Sequence, residues 1–229
     1  KPEAPARLAE EIARPGYAVA PLAFGTNTDP YQPAEAKMGI MRACLQVLHD
    51  WNHPVSIVTR GRTILRDLDL IGAMAARGQV FVGVSLTTLD AGLARQMEPR
   101  APAPAIRLGM IRALADAGVR VRVMLSPMIP ALTDHEIESL LAAARDAGAA
   151  TASMIPIRLP HEVAPLFRDW LEAHFPDRAA KVMSLIQSAK LNGLDPWAYL
   201  RDVLDRLSGD ALERLHRQGY LAAAVHAVS

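Results

Sequence analysis

The residues best suited to chemistry in this chain stand where short apolar runs end. The run at 21–25 leads into Gly25, Thr26, Asn27, Thr28, Asp29, Pro30, Tyr31, Gln32, Pro33, Ala34 and Glu35. That loop combines hydroxyls, an amide and two carboxylates with two prolines whose fixed φ stiffens the backbone, a make-up that suits an amino-acid or sugar ligand. A second run ends in Thr59 and Arg60, a third in Ser85, Leu86, Thr87 and Thr88, and a fourth in Ser126 and Pro127. Such ends offer a cation for a carboxylate and hydroxyls for a ribose. Glu98, Arg100 and Arg107 add charge to a proline-stiffened segment, and Arg158, His161 and Glu162 follow a fifth run, so these are candidates for lining a substrate mouth. Each has a plainer use when taken singly. Thr28 or Asp29 caps a turn, Glu35 sits in a first helical turn, Arg60 is solvated, Ser85 satisfies a backbone group and His161 starts a helix.

The elements that must position these residues are legible from periodicity. Apolar runs at 21–25, 55–59, 80–86, 119–126 and 152–157 predict buried strands separated by helical stretches. Segment 34–51 places Met38, Met41, Leu45 and Leu48 on one face; 104–117 and 135–147 do the same with Leu108, Ile111, Leu114 and with Ile137, Leu140, Leu141. Gly118 and Gly148 fall where a helix must end before a strand begins. Strands apolar on both faces, alternating with helices, imply a parallel sheet whose ligand lies at the carboxyl ends of the strands. Periodicity leaves an open doubly wound sheet and a barrel equally available. Beyond 157 the pattern is helical only, at 163–174, 177–189, 195–207 and 210–217, with Pro176 and Gly193 as breaks.

Composition narrows the class. Twenty-five Lys and Arg stand interspersed among 24 Asp and Glu, so no basic stripe marks a nucleic-acid footprint. No apolar run reaches the roughly 20 residues of a membrane span. The opening Lys1, Pro2, Glu3 is neither a signal peptide nor an initiator start, so the reading expects a cytoplasmic protein whose start is cut. One cysteine excludes an intrachain disulfide and an all-cysteine metal site; Cys44, within a helical stretch, is expected to be a small buried hydrophobe. No GxxxxGK[ST], GxGxxG, GxSxG or HExxH pattern is present.

Taken in order, the Gly25 to Glu35 loop, Ile57 to Arg60, Arg66 to Asp69, Val84 to Asp90, Glu98 to Pro102 and Arg158 to Val163 resemble the radical S-adenosylmethionine (SAM) proteins related to spore photoproduct lyase, over residues 1–187. The resemblance implies an α/β fold, a partial (β/α)6 TIM-like barrel, here expected to lack its first strand and to end in a C-terminal helical appendage at 188–229. It implies S-adenosylmethionine and a [4Fe-4S] cluster that together give a 5′-deoxyadenosyl radical for hydrogen abstraction. Thr28 and Asp29 would face the methionine ammonium, Arg60 its carboxylate and Ser85 the ribose. Arg60 stands where this branch more often has Lys. Glu35, Arg100, Arg158 and His161 fall to the substrate side. The family's CxxxCxxC loop is not in this chain, so its cluster ligands are expected upstream and the chain alone is expected to be inactive. The implied partners are an electron donor and an unidentified substrate, a nucleic-acid lesion by analogy only. Residues 188–207 resemble the C-terminal tail of an insertion-sequence transposase family, without that family's acidic catalytic core. Two other readings stand beside this one: an inactive module or relic that binds S-adenosylmethionine or a nucleotide, and a cluster-free enzyme using Asp29, Glu35 or His161 in acid–base work.

Overall fold

The structure, a computed structural model, describes residues 1–191. The expected helices at 195–207 and 210–217 lie outside the described residues. A first helix, α1 (Ala4–Ile12), precedes β1 (Leu22–Phe24). A short α2 (Glu35–Met38) and then α3 (Ile40–Asp50) lead to β2 (Val55–Thr59). A 3₁₀ turn at Arg62–Asp67 opens into α4 (Leu68–Ala76), followed by β3 (Val80–Ser85), α5 (Ala91–Met97), α6 (Pro104–Asp116) and β4 (Arg120–Met128). A second 3₁₀ turn at Asp134–Glu136 introduces α7 (Ile137–Asp146), β5 (Thr151–Pro156), α8 (Val163–His174) and α9 (Pro176–Leu191).

The five strands lie in the order β1-β2-β3-β4-β5. The first three pairings are parallel, with Phe24 beside Ile57, Ile57 beside Val82 and Val82 beside Val121. Every strand is next to its sequence neighbour, as in the wall of a TIM-like barrel, and nowhere does the order reverse as it does in a doubly wound sheet. That order is compatible with the partial TIM-like fold that the resemblance implies. β2 coincides with the strand expected at 55–59, and β3 ends one residue short of the one expected at 80–86.

Two compact units divide the described residues: Lys1–Met124 with Ala142–Thr151, and Leu125–Leu141 with the described residues from Ala152 on. The expected boundary after residue 187 falls inside α9. In the first unit Leu45, Leu48, Ile57, Ile71, Met74, Val82, Val84, Met110, Ile111, Leu114, Val121 and Val123 form the core. In the second, Leu125, Met128, Ile129, Leu132, Leu140, Leu171 and Val182 are buried, and Trp170 lies against Phe167 and His174. Gly118 and Gly148 take the left-handed conformation expected of helix ends.

One helix differs from expectation. Segment 34–51 is broken at Gly39, which has φ +62° and ends α2 before α3 begins. The break rotates Met38 out of the apolar face, and it is 54% exposed, whereas Met41, Cys44, Leu45 and Leu48 are buried. Burial also raises the Cys44 thiol above its usual value. Among the described residues no helix is long and apolar enough to cross a membrane.

Candidate functional site

The loop after β1 is tied to the end of β2 by one carboxylate. Asp29 Oδ1 accepts from the Tyr31 amide at 2.9 Å and from Thr59 Oγ1 at 2.6 Å, and Oδ2 accepts from the Arg60 amide at 2.8 Å. Thr59 Oγ1 in turn accepts from the Gly61 amide at 2.8 Å. The two loops touch so closely that side chains are excluded. A Cβ on Gly25, whose φ is +91°, would lie 2.0 Å from the Val58 carbonyl oxygen, and one on Gly61 would lie 2.4 Å from that of Tyr31. A carboxylate offers about four lone-pair sites; three are filled here, which leaves one on Asp29 Oδ2. Thr28 is exposed beside it.

Arg60 sends its side chain to Glu98 Oε1. The other oxygen of Glu98 accepts from Arg107 Nη2 at 2.5 Å. Arg107 is on α6 and only 2% exposed. Its remaining donors reach the Pro102 carbonyl at 2.8 Å and the Ser85 carbonyl at 3.1 Å. One buried guanidinium thus joins α6, the proline-rich loop and the end of β3, and Glu98 bridges it to Arg60. Asp29, Arg60, Arg62, Glu98 and Arg100 line an open cleft of about 560 Å³.

A second network braces the same loop from behind. Asp67, fully buried, accepts from Tyr31 Oη at 3.1 Å, from Arg66 at 2.8 and 3.0 Å and from Arg42 Nη1 at 3.2 Å. Arg66 also donates to Glu35 Oε1 at 2.9 Å, and Arg42 clasps Asp69 at 2.8 and 2.6 Å. Burial, then the neighbouring Asp67, pushes the Tyr31 phenol far above its usual range, and Arg42 holds Asp69 well below the usual carboxylate range.

The structure therefore brings Asp29, Arg60 and Arg100 to one cleft. Glu35 is elsewhere: buried, and committed to Arg66 and to the Met41 amide at 3.0 Å, where it caps the start of α3. Ser85 is buried and does not line the cleft; its Oγ has no hydrogen-bond partner among the described residues. Arg158 and His161 are exposed in the second unit, between β5 and α8. Sequence reading placed Glu98 and Arg107 in a charged loop without seeing that they pair, and it gave Tyr31 and Asp67 no role.

Residues 1–144 match the family described as the radical SAM superfamily. The chain belongs to that superfamily. The chain is similar to an uncharacterized protein of Mycobacterium bovis and to another of Mycobacterium tuberculosis, each 35% identical over 180 residues, which is 78% of this chain and 53% of the relative. An uncharacterized protein of Methanocaldococcus jannaschii is 28% identical over 109 residues, 48% of this chain and 40% of its own. The chain spans about half the length of the first-named relatives it matches. Residues 184–217 match a different family, the IS66 C-terminal element.

Radical SAM proteins in general use S-adenosylmethionine and an iron–sulfur cluster, and the two fit this chain differently. An amino-acid ligand fits the free acceptor on Asp29, whereas the orphaned Ser85 Oγ is buried away from the cleft lining. The cluster does not fit: Cys44 is the one cysteine and is buried, and no group of three His, Cys, Asp or Glu among the described residues is placed to hold a metal.

Proposed function

We propose that this chain carries the S-adenosylmethionine-binding strand ends of a radical enzyme related to spore photoproduct lyase. Residues 1–187 form part of its (β/α)6 barrel. The observation that carries the reading is the Asp29 clamp at the carboxyl ends of β1 and β2, with one oxygen site left open to the cleft. A parallel α/β sheet binds ligands at this edge. In this reading Asp29 and Thr28 hold the ammonium group and Arg60 takes the carboxylate one residue beyond the clamp, whereas Ser85, which the resemblance gives to the ribose, is buried and outside the cleft lining. Arg100 lines the cleft on the substrate side.

When bound beside a reduced cluster, S-adenosylmethionine supplies the family's chemistry, a carbon radical that abstracts hydrogen. The thiolates for such a cluster are not among these residues, so no step through it is assigned to them. What the chain itself does is orient a zwitterion. Thr59 and the Arg60 amide fix the plane of the Asp29 carboxylate, so its open acceptor points one way before the ligand arrives, and less ordering cost falls on binding. An electron donor and a substrate, by analogy a nucleic-acid lesion, complete the proposal.

Titration calorimetry with S-adenosylmethionine tests it. The chain should bind, and Asp29→Asn, which exchanges an acceptor for a donor, should weaken binding roughly 10- to 100-fold, the equivalent of one charge-assisted hydrogen bond. Circular dichroism should show the fold kept. Binding by Asp29→Asn equal to that of the unaltered chain, or no binding by the unaltered chain, would refute the assignment.

A further inference from the structure

We propose that Glu98 is a latch on Arg60, which an incoming ligand carboxylate displaces, so that Glu98 sets the affinity of the cleft and its preference for carboxylate-bearing ligands. The inference rests on the S-adenosylmethionine reading above and adds to it a residue that works against binding.

The geometry points to this because Glu98 has two cations and requires one. Arg107 is buried and bonded three ways, to Glu98, Pro102 and Ser85, so it cannot leave without stranding two carbonyls. It satisfies Glu98 alone. Arg60 is the opposite case: its side chain is 43% exposed and lines the cleft, and Glu98 is its ion-pair partner. Glu98 is 13% exposed. Releasing Arg60 leaves the buried charge neutralised and costs no more than a partly exposed pair is worth, roughly a two- to fivefold factor in an equilibrium.

The Arg60 backbone cannot follow its side chain, since its amide is fixed to Asp29 Oδ2. The guanidinium therefore swings from an anchored Cα beside the ammonium site. A ligand with adjacent ammonium and carboxylate groups meets Asp29 and the released Arg60 together. A ligand without the carboxylate has no means of displacing Glu98, and it gains from the acid's charge. The latch thus admits the zwitterion only by exchange and lowers its affinity, so its removal should tighten binding of the carboxylate-bearing ligand and leave that of the other unchanged or slightly weaker.

Calorimetry with S-adenosylmethionine and with its decarboxylated analogue, on the unaltered chain and on Glu98→Gln, reads this out. Glutamine keeps an oxygen for Arg107 while removing the charge that holds Arg60. S-adenosylmethionine should bind about two- to fivefold more tightly to Glu98→Gln, and the decarboxylated analogue equally or slightly less tightly. A gain of affinity is something that a purely supporting residue would not give. Should Glu98→Gln loosen the Arg107 anchor, Arg60→Gln supplies the second test: it leaves Glu98 and Arg107 paired and should abolish the preference for S-adenosylmethionine over the analogue. Unchanged or weaker S-adenosylmethionine binding by Glu98→Gln in a folded protein, or a preference surviving in Arg60→Gln, overturns the latch and leaves the function reading standing. No binding by either the unaltered chain or Glu98→Gln overturns both.

Discussion

Tyr31→Phe removes one hydroxyl from the buried Asp67 network, and its effect can be worked from the contacts. Asp67 has four donors on four lone-pair sites: two from Arg66, one from Arg42 and one from Tyr31 Oη at 3.1 Å. A hydrogen bond to a charged group is worth about 1.5–3 kcal/mol. Three charge-assisted donors remain after the substitution, so the carboxylate is not stranded and the loss belongs near the lower bound, about 1.5 kcal/mol. For a chain of this size that is a fall in Tm of roughly 3–6 °C. Asp67→Asn should cost more, about 2–3 kcal/mol. It stays short of the 3–5 kcal/mol of a stranded buried charge because Arg66 keeps Glu35 and Arg42 keeps Asp69.

Guanidinium unfolding of the two single variants and the double variant gives the coupling, expected at about 1 kcal/mol. Additivity within about 0.3 kcal/mol would show that the hydroxyl and the carboxylate do not support each other, and would refute the reasoning. Phenylalanine keeps the residue 31 amide that donates to Asp29, so S-adenosylmethionine affinity should change less than about fivefold, a small part of the effect expected from Asp29→Asn.

Gly25→Ala should lower stability by more than about 2 kcal/mol, because the new Cβ meets the Val58 carbonyl and φ is +91°; a melting curve within about 2 °C of the unaltered chain would contradict the close approach. Alkaline pH should also destabilise the fold. Tyr31 and Cys44 hold their protons more tightly when folded, so the stability they contribute is complete below their ordinary values of about 10 and 8.5 and is lost as pH rises above them. Tm measured from about pH 7 to about pH 11 should fall progressively, and Tyr31→Phe should flatten the part above about pH 10. Asp69 acts on the other limb: its depressed value gives stability that is present above about pH 4 and lost as pH falls.

The strands were the most legible part of this protein, for a physical reason. Val55, Ile57, Val80, Val82, Val84, Val121 and Val123 are β-branched and buried, so propensity and burial agree locally. The 34–51 helix was misread at Met38 because its periodicity continues across Gly39, and an apolar count does not register a left-handed residue. Sheet order was not legible from periodicity, since identical βα repeats serve a wound sheet and a barrel wall; only the family resemblance favoured the barrel.

Within the site, residue types were legible and pairings were not. Asp29 and Arg60 meet at one cleft because a parallel sheet delivers its strand ends to one edge, which a sequence reading can use, and Arg100 joins them from the loop between α5 and α6. Arg107 is the instructive failure. It occupies the position of a core residue on α6, in step with Pro104, Ile111 and Leu114, and periodicity alone marks it as buried. Its charge led to its being grouped with Glu98 and Arg100 in the proline-stiffened segment, as a candidate for lining a substrate mouth. A guanidinium on the apolar stripe must bring its acceptors with it, and the carbonyls of Ser85 and Pro102 and the carboxylate of Glu98 are those acceptors. Had that demand been followed from Arg107 outward, Glu98 would have been claimed as its partner, and Arg60 would have emerged as the cation Glu98 can release.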